Sequence, residues 1–192
     1  FSRKRVSFKI VFVECTNYCL IMTTHAMIDL ETLSTNPDAT ILTVGGVKFD
    51  PYNSVEPSQG MYFRVDFEQQ SKIKRHVMQD ILDWWGQQDP KIMEEALGDD
   101  GRISLDETIR TINKWAVGVD VFWCQGPLFD YAILQNLYAQ MNQPVPWQYW
   151  QIRDSRTLFS LVPKDPNEKR TGLHNALEDC YFQAKKVQKV YK

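Results

Sequence analysis

The chain has 192 residues, a formal net charge of −2, 43% hydrophobic residues and 24% charged residues. That suits one domain with a substantial core and excludes a disordered chain, and no apolar run reaches the ~18 residues of a membrane-spanning helix. The weak charge excludes a basic nucleic-acid coat but not a nuclease, because a bound metal can supply the positive charge that a phosphate needs.

Residues 1–21 carry Arg3, Lys4, Arg5 and Lys9 against a single acid, Glu14, and an apolar stretch broken by Lys9, Glu14 and Asn17. No small-residue cleavage site follows, so the segment reads as a non-native or upstream leader, with Met22 as the natural start and residues 22–192 as the domain. The four cysteines, Cys15, Cys19, Cys124 and Cys180, offer no second pair at zinc-ligand spacing. They are read as reduced thiols of a cytoplasmic protein.

Along the domain, Ala26 to Leu30 is a short apolar strand. Ile41 to Phe49 is a β-branched strand with Gly45–Gly46 as a bulge or point of close approach, and Met61 to Phe67 is a third strand; short links make these an antiparallel meander. Ile73, Val77, Ile81, Leu82 and Trp85 recur at helical spacing. Asp89-Pro90 opens a short helix, and Ser104 with Glu107 forms a capping box for the next, which turns Leu105, Ile109, Ile112 and Trp115 inward. Val119 to Cys124 is a buried strand. Pro127 and Asp130 introduce a helix to about Met141, Ile152 begins a short strand or turn, and Thr157 to Leu161 is helical. After a polar loop over 163–172, a last helix follows His174. Strands first, then strands alternating with helices, predict an α/β fold: a mixed sheet flanked by helices.

Three places hold the chemistry. Asp29 and Glu31 flank Leu30 at the end of the first strand, so both carboxylates point to one face and can share a cation. Asp130 stands between a strand and a helix, where it is either a helix cap or a metal ligand. His174 precedes Asp179 by five residues, which is about 140° apart on an ideal helix, so the two converge only if His174 lies ahead of the helix. Glu178 lies beside Asp179 but on another face.

In this order the five residues closely resemble the DEDDh group of 3′–5′ exonucleases, whose fold is ribonuclease-H-like. Asn175 occupies the position at which the tyrosine branch of such enzymes has Tyr, so the histidine branch fits. Met27-Ile-Asp-Leu-Glu-Thr-Leu33, Trp147-Gln-Tyr-Trp150, Arg153-Asp-Ser-Arg-Thr157 and His174-Asn-Ala-Leu-Glu-Asp179 resemble the tailed-phage exonuclease A family and related prophage and mycobacterial 3′–5′ exonucleases. The resemblance covers about residues 24–191 and departs from that pattern at Cys124-Gln125-Gly126.

The resemblance implies two divalent ions, Mg²⁺ or Mn²⁺, bridged by Asp29 and further held by Glu31, Asp179 and Asp130, with His174 as general base. The expected substrate is nucleic acid with a single-stranded 3′ end, and the products are nucleoside 5′-monophosphates. The phage likeness puts single-stranded DNA first as the substrate; the mycobacterial likeness makes an exoribonuclease of the same mechanism the alternative, followed by a catalytically silent nucleic-acid-binding module. The backbone around Thr32 and Leu33 is expected against the terminal sugar, with Leu33 as a wedge against the last base. Trp147, Trp150 and Phe129 are expected to stack bases, with core packing as the alternative for the two tryptophans. Arg156 either contacts a phosphate or the base, or else pairs with Asp154 or braces the loop.

Overall fold

The computed structural model describes residues 23–163, 166 and 174–192. The expected leader over 1–21 and most of the polar loop over 163–172 lie outside the described residues. The strands are β1 (His25–Thr32), β2 (Ile41–Phe49), β3 (Ser58–Val65), β4 (Arg102–Ile103), β5 (Val121–Cys124) and β6 (Ile152–Asp154). They form one six-stranded sheet in the order β4-β3-β2-β1-β5-β6. β1, β2 and β3 make the antiparallel meander, and β4, β5 and β6 pair in parallel with their neighbours. The helices are α1 (Phe67–Lys72), α2 (Gln79–Trp85), α3 (Pro90–Leu97), α4 (Leu105–Ala116), α5 (Asp130–Gln140), α6 (Ser155–Phe159) and α7 (Ala176–Val190). This is the mixed, helix-flanked sheet expected of a ribonuclease-H-like fold.

Strand alternation sorts the core into two layers. Ala26, Ile28, Leu30 and Val44 meet Ile109 and Ile112 of α4 and Ile133, Leu134 and Leu137 of α5. On the other face Met27, Val47 and Trp123 meet Cys180, Ala184 and Val187 of α7. A third cluster, Leu33, Leu42, Trp85 and Ala96, closes the end of β1 under α2 and α3. Leu42 enters it through a bulge: Glu31 faces Thr43 and Thr32 faces Ile41, so Leu42 is the extra residue of β2.

The caps at Asp89 and Ser104 form as their residue types demand, each side chain accepting a backbone N–H of the helix it opens. Two readings change. The apolar spacing from Ile73 to Trp85 is not one helix: residues 74–78 leave the helical path, Lys74 has φ +59°, and Ala39 and His76 form a parallel bridge. His76 N–H donates to the Asp38 carbonyl and Thr40 N–H donates to the His76 carbonyl, so pairing with a distant segment overrides the local period. The third strand ends at Val65, because Asp66 Oδ1 accepts the Gln69 N–H and starts α1. Trp115 lies at the margin of the core, its Nε1 donating to the Gln59 carbonyl.

Candidate active site

The site begins where β1 loses a neighbour. β1 pairs with β5 only at His25, Ala26 and Met27, and beyond that point the two strands part. The N–H of Leu30 then donates to Asp130 Oδ1 at 3.2 Å. Asp130 is the first residue of α5, after the cap residue Phe129, and is 3% exposed. Its carboxylate therefore serves β1 across the gap rather than capping its own helix.

On β1, Asp29 and Glu31 share the face that holds Met27, and they stand opposite Gly45 and Thr43 of β2. The N-terminus of α7 lies over this face. Gly45 lets it approach: a Cβ there would come within 2.3 Å of the Ala176 backbone carbon. Asn175 caps α7, its Oδ1 accepting the N–H of Leu177 and of Glu178 at 3.1 Å each. Asp179 lies in the first turn, where the helix dipole favours a negative charge. Glu178 points to solvent. His174 precedes the cap with φ +62°, off the helical path, which is the placement its spacing from Asp179 requires.

These residues line one crevice of about 210 Å³: Asp29, Glu31, Asp130, His174 and Asp179, with Gln183 and Arg156 at its walls. Ligand oxygens of Asp29, Glu31 and Asp179 all lie within 4.8 Å of one another. Asp130 borders the crevice outside that trio. Burial, then the Asp130, Glu31 and Asp179 carboxylates, push the Asp29 carboxyl well above its ordinary value. Asp130 is pushed up to about 7, mainly by burial and against the hydrogen bond from Leu30. Crowded carboxylates of this kind call for a proton or a cation, and an all-oxygen donor set suits a hard divalent ion.

Gln183, which sequence reading missed, is buried and donates from Nε2 to Asp29 Oδ1 at 3.0 Å. Its signal was available, since it lies one helical turn beyond Asp179. Gln125 was missed as well; its carbonyl accepts from Arg156 Nη2 at 3.1 Å. Asp154 instead caps α6, accepting the backbone N–H groups of Arg156 and Thr157, so the guanidinium remains at the crevice.

A second cavity of about 300 Å³ adjoins the crevice, sharing Glu31 and Phe129 and lined further by Thr32, Ile81, Trp84 and Trp85. Phe129 thus stands between the two. Leu33 does not act as a wedge there: it is 7% exposed and packs with Leu42, Trp85 and Ala96, while its N–H donates to the Thr40 carbonyl. Trp147 is likewise corrected. It is 2% exposed and packs against Phe122, Tyr131 and Tyr138, so it fills the core and stacks on nothing in solvent. Trp150 is exposed beside Tyr149 but lines neither cavity. The largest cavity described, about 790 Å³ at the β3 edge beside α4, has Glu107 as its single acid and lacks the acidic cluster.

Comparison with known proteins gives a family and a fold. The family of the 3′-5′ exoribonuclease Rv2179c-like domain matches residues 24–191. No curated protein matches the sequence. Among solved structures, cell-death related nuclease 4 (CRN-4) superposes with a TM-score of 0.60 at 17% identity, over 88% of this chain and 63% of that one. The zinc-bound E. coli exonuclease I–ssDNA complex gives a TM-score of 0.64 at 12% identity, over 87% of this chain and 40% of that one. The nuclease domain of 3′hExo, a DEDDh family member bound to rAMP, gives 0.59 at 14% identity, over 87% and 91%. At these identities the likeness is one of fold, and this chain spans less than two thirds of CRN-4 and of exonuclease I.

Proposed function

The chain belongs to the family of Rv2179c-like 3′-5′ exoribonuclease domains, and from that premise we propose a divalent-metal-dependent hydrolase that removes nucleotides from single-stranded 3′ ends, with RNA as the first substrate class. The proposed domain spans residues 22–192, and the family match over 24–191 supports it. One observation carries the reading: Asp29, Glu31 and Asp179 crowd their carboxylates into a crevice that Asp130 and His174 also line. DNA is the second reading. It is favoured by the phage likeness of the sequence and by the fold shared with exonuclease I, whose complex holds single-stranded DNA.

Asp29, Glu31 and Asp179 are the residues that would hold divalent ions, Mg²⁺ or Mn²⁺, with Asp130 completing a two-ion set. Such ions polarise the scissile phosphate and lower the pKa of an attacking water. The other work falls to the protein. His174 is the general base that accepts the proton of that water. Gln183 fixes the Asp29 carboxylate by donating to Oδ1. Arg156, which lines the crevice, is the cation that would meet the phosphate. Phe129 and the adjoining cavity hold the terminal nucleotide, with Thr32 at its border. The bond cleaved is the terminal phosphodiester, with a nucleoside 5′-monophosphate as product.

No described helix is long and apolar enough to cross a membrane. The buried free thiols of Cys124 and Cys180 support a reducing, cytoplasmic setting.

The test is a denaturing gel of 5′-labelled single-stranded RNA and DNA of one sequence, with Mg²⁺, Mn²⁺ or chelator. The expected result is a metal-dependent ladder that shortens from the 3′ end, faster on RNA, and absent in Asp29→Ala. A faster DNA ladder reverses the substrate order. Binding without cleavage by the folded wild type would return the chain to a silent binding module.

A further inference from the structure

We propose that Trp84 is a positioning residue for His174, and that a base held in the cavity beside the acidic crevice acts on His174 through it. This rests on the exonuclease reading above.

The two tryptophans that end α2 do different work. Trp85 is 1% exposed, and its Nε1 donates to the Thr32 carbonyl at 3.0 Å, which pins the helix to the end of β1. Trp84 is 38% exposed. Its ring meets the His174 imidazole edge to face, with centroids 4.8 Å apart and planes at 84°, and Trp85 adds a second contact at 6.2 Å. Among the described residues no hydrogen bond is made to the His174 ring. Its backbone, at φ +62°, is outside the ladder of α7. The indoles therefore fix where the imidazole points, a part that a carboxylate or carbonyl plays for many catalytic histidines.

Trp84 also walls the 300 Å³ cavity, with Ile81 on its own helix and Phe129 across from it. One indole is thus shared by two sites. An exposed side chain keeps rotamer freedom, and a flat ring packed on its open surface removes that freedom. A base in the cavity orders Trp84, and an ordered Trp84 orders His174. The energy of binding the base is then expressed in the chemical step, in kcat, rather than only in KM.

Two measurements test this. The first is steady-state kinetics of wild type, Trp84→Ala, Trp84→Phe, His174→Ala and the Trp84→Ala/His174→Ala double variant, on oligonucleotides ending in an ordinary or an abasic 3′ nucleotide. Trp84→Ala is expected to lower kcat about 10–100-fold with a smaller change in KM, and Trp84→Phe to restore most of it. The abasic end should lower kcat of the wild type but not further lower that of Trp84→Ala. In the His174→Ala background the loss of Trp84 should cost no further kcat. The second is the NMR signal of the His174 ring protons in metal-free protein, displaced by the Trp84 ring current. It should move on adding a nucleoside 5′-monophosphate, hold still with ribose 5-phosphate, and lose its displacement in Trp84→Ala. A rise in KM at unchanged kcat, or losses from Trp84 and His174 that multiply, overturns the positioning role and leaves the exonuclease standing. A folded wild type inactive on every 3′ end overturns both.

Discussion

His25 and Asp29 stand four residues apart on one face of β1; His25 is buried, Asp29 is half-buried at the crevice, and both are shifted toward the neutral form. His25 lies where β1 is paired on both sides. Its Nδ1 accepts from Trp123 Nε1 at 3.0 Å, and Phe49, Tyr52 and Tyr191 close around the ring. Burial pushes its pKa down to about 4, so it is held neutral. Asp29 lies where β5 has withdrawn, and the groups that meet it are chiefly further acids. The same strand thus builds one end around a group that needs no charge and the other around charges that need a counter-ion. Burial disfavours the ionised form at both ends; the neighbours decide whether the outcome is structure or a binding site.

The contrast can be broken most directly at Asp29. Asp29→Asn should lower exonuclease turnover by about 10³-fold or more on the gel assay, as loss of an essential acid does. It should also raise the melting temperature of the metal-free protein, because a buried charge among like charges is removed. A variant that is both inactive and less stable in chelator would mean that the acids are not in mutual repulsion. Gly45→Ala comes next. A methyl group there collides with the Ala176 backbone and pushes α7 away from β1, at about 1–3 kcal/mol of stability, measurable by urea titration. Activity should fall further than stability, since Asp179 and His174 shift with the helix start.

Mg²⁺ or Mn²⁺ should sharpen the contrast from outside. A cation bound only by the native state stabilises it by about 2.7 kcal/mol at a hundred times its dissociation constant, read as a rise in melting temperature. The rise should vanish in Asp29→Asn and persist in a His25 variant.

The smallest effect concerns pH. His25 has its folded pKa depressed from 6.5 to about 4, so its contribution is full above 6.5 and lost as pH falls to 4. Asp130 has its folded pKa raised from 3.8 to about 7, and Asp29 is raised as well. Their contribution is full below 3.8, and that of Asp130 is lost as pH rises to about 7. Two raised carboxyls outweigh the single histidine, so the metal-free stability should fall as pH rises from about 4 to 6.5. In Asp29→Asn/Asp130→Asn the His25 slope stands alone, and acidification from 6.5 to 4 should cost about 2 kcal/mol. A flat profile in that variant would contradict a neutral His25.

The parts legible in the sequence are those whose cause is local. β1 and β2 follow from β-branched, apolar runs, α3 and α4 from their caps, and the offset of His174 from α7 from a spacing that no helix can bring together. Asp29, Glu31, Asp130, His174 and Asp179 meet in one crevice because they lie at strand ends and helix starts, where such elements converge. What stayed hidden depends on distant partners. The period from Ile73 to Trp85 gives no hint that residues 38–40 will pair with His76. Trp147 and Trp150 look alike in the sequence, yet one fills the core and the other faces water. The meeting of Trp84 with His174 joins residues ninety positions apart, and nothing near either announces it.

The dependence of the crevice on α7 bears on how the protein is made. Asp29 and Glu31 precede His174, Asp179 and Gln183 in the chain and so leave the ribosome before them. Until α7 is made, the proposed site holds only the acids Asp29, Glu31 and Asp130. On the proposed reading, the acidic crevice closes only once α7 has settled on Gly45.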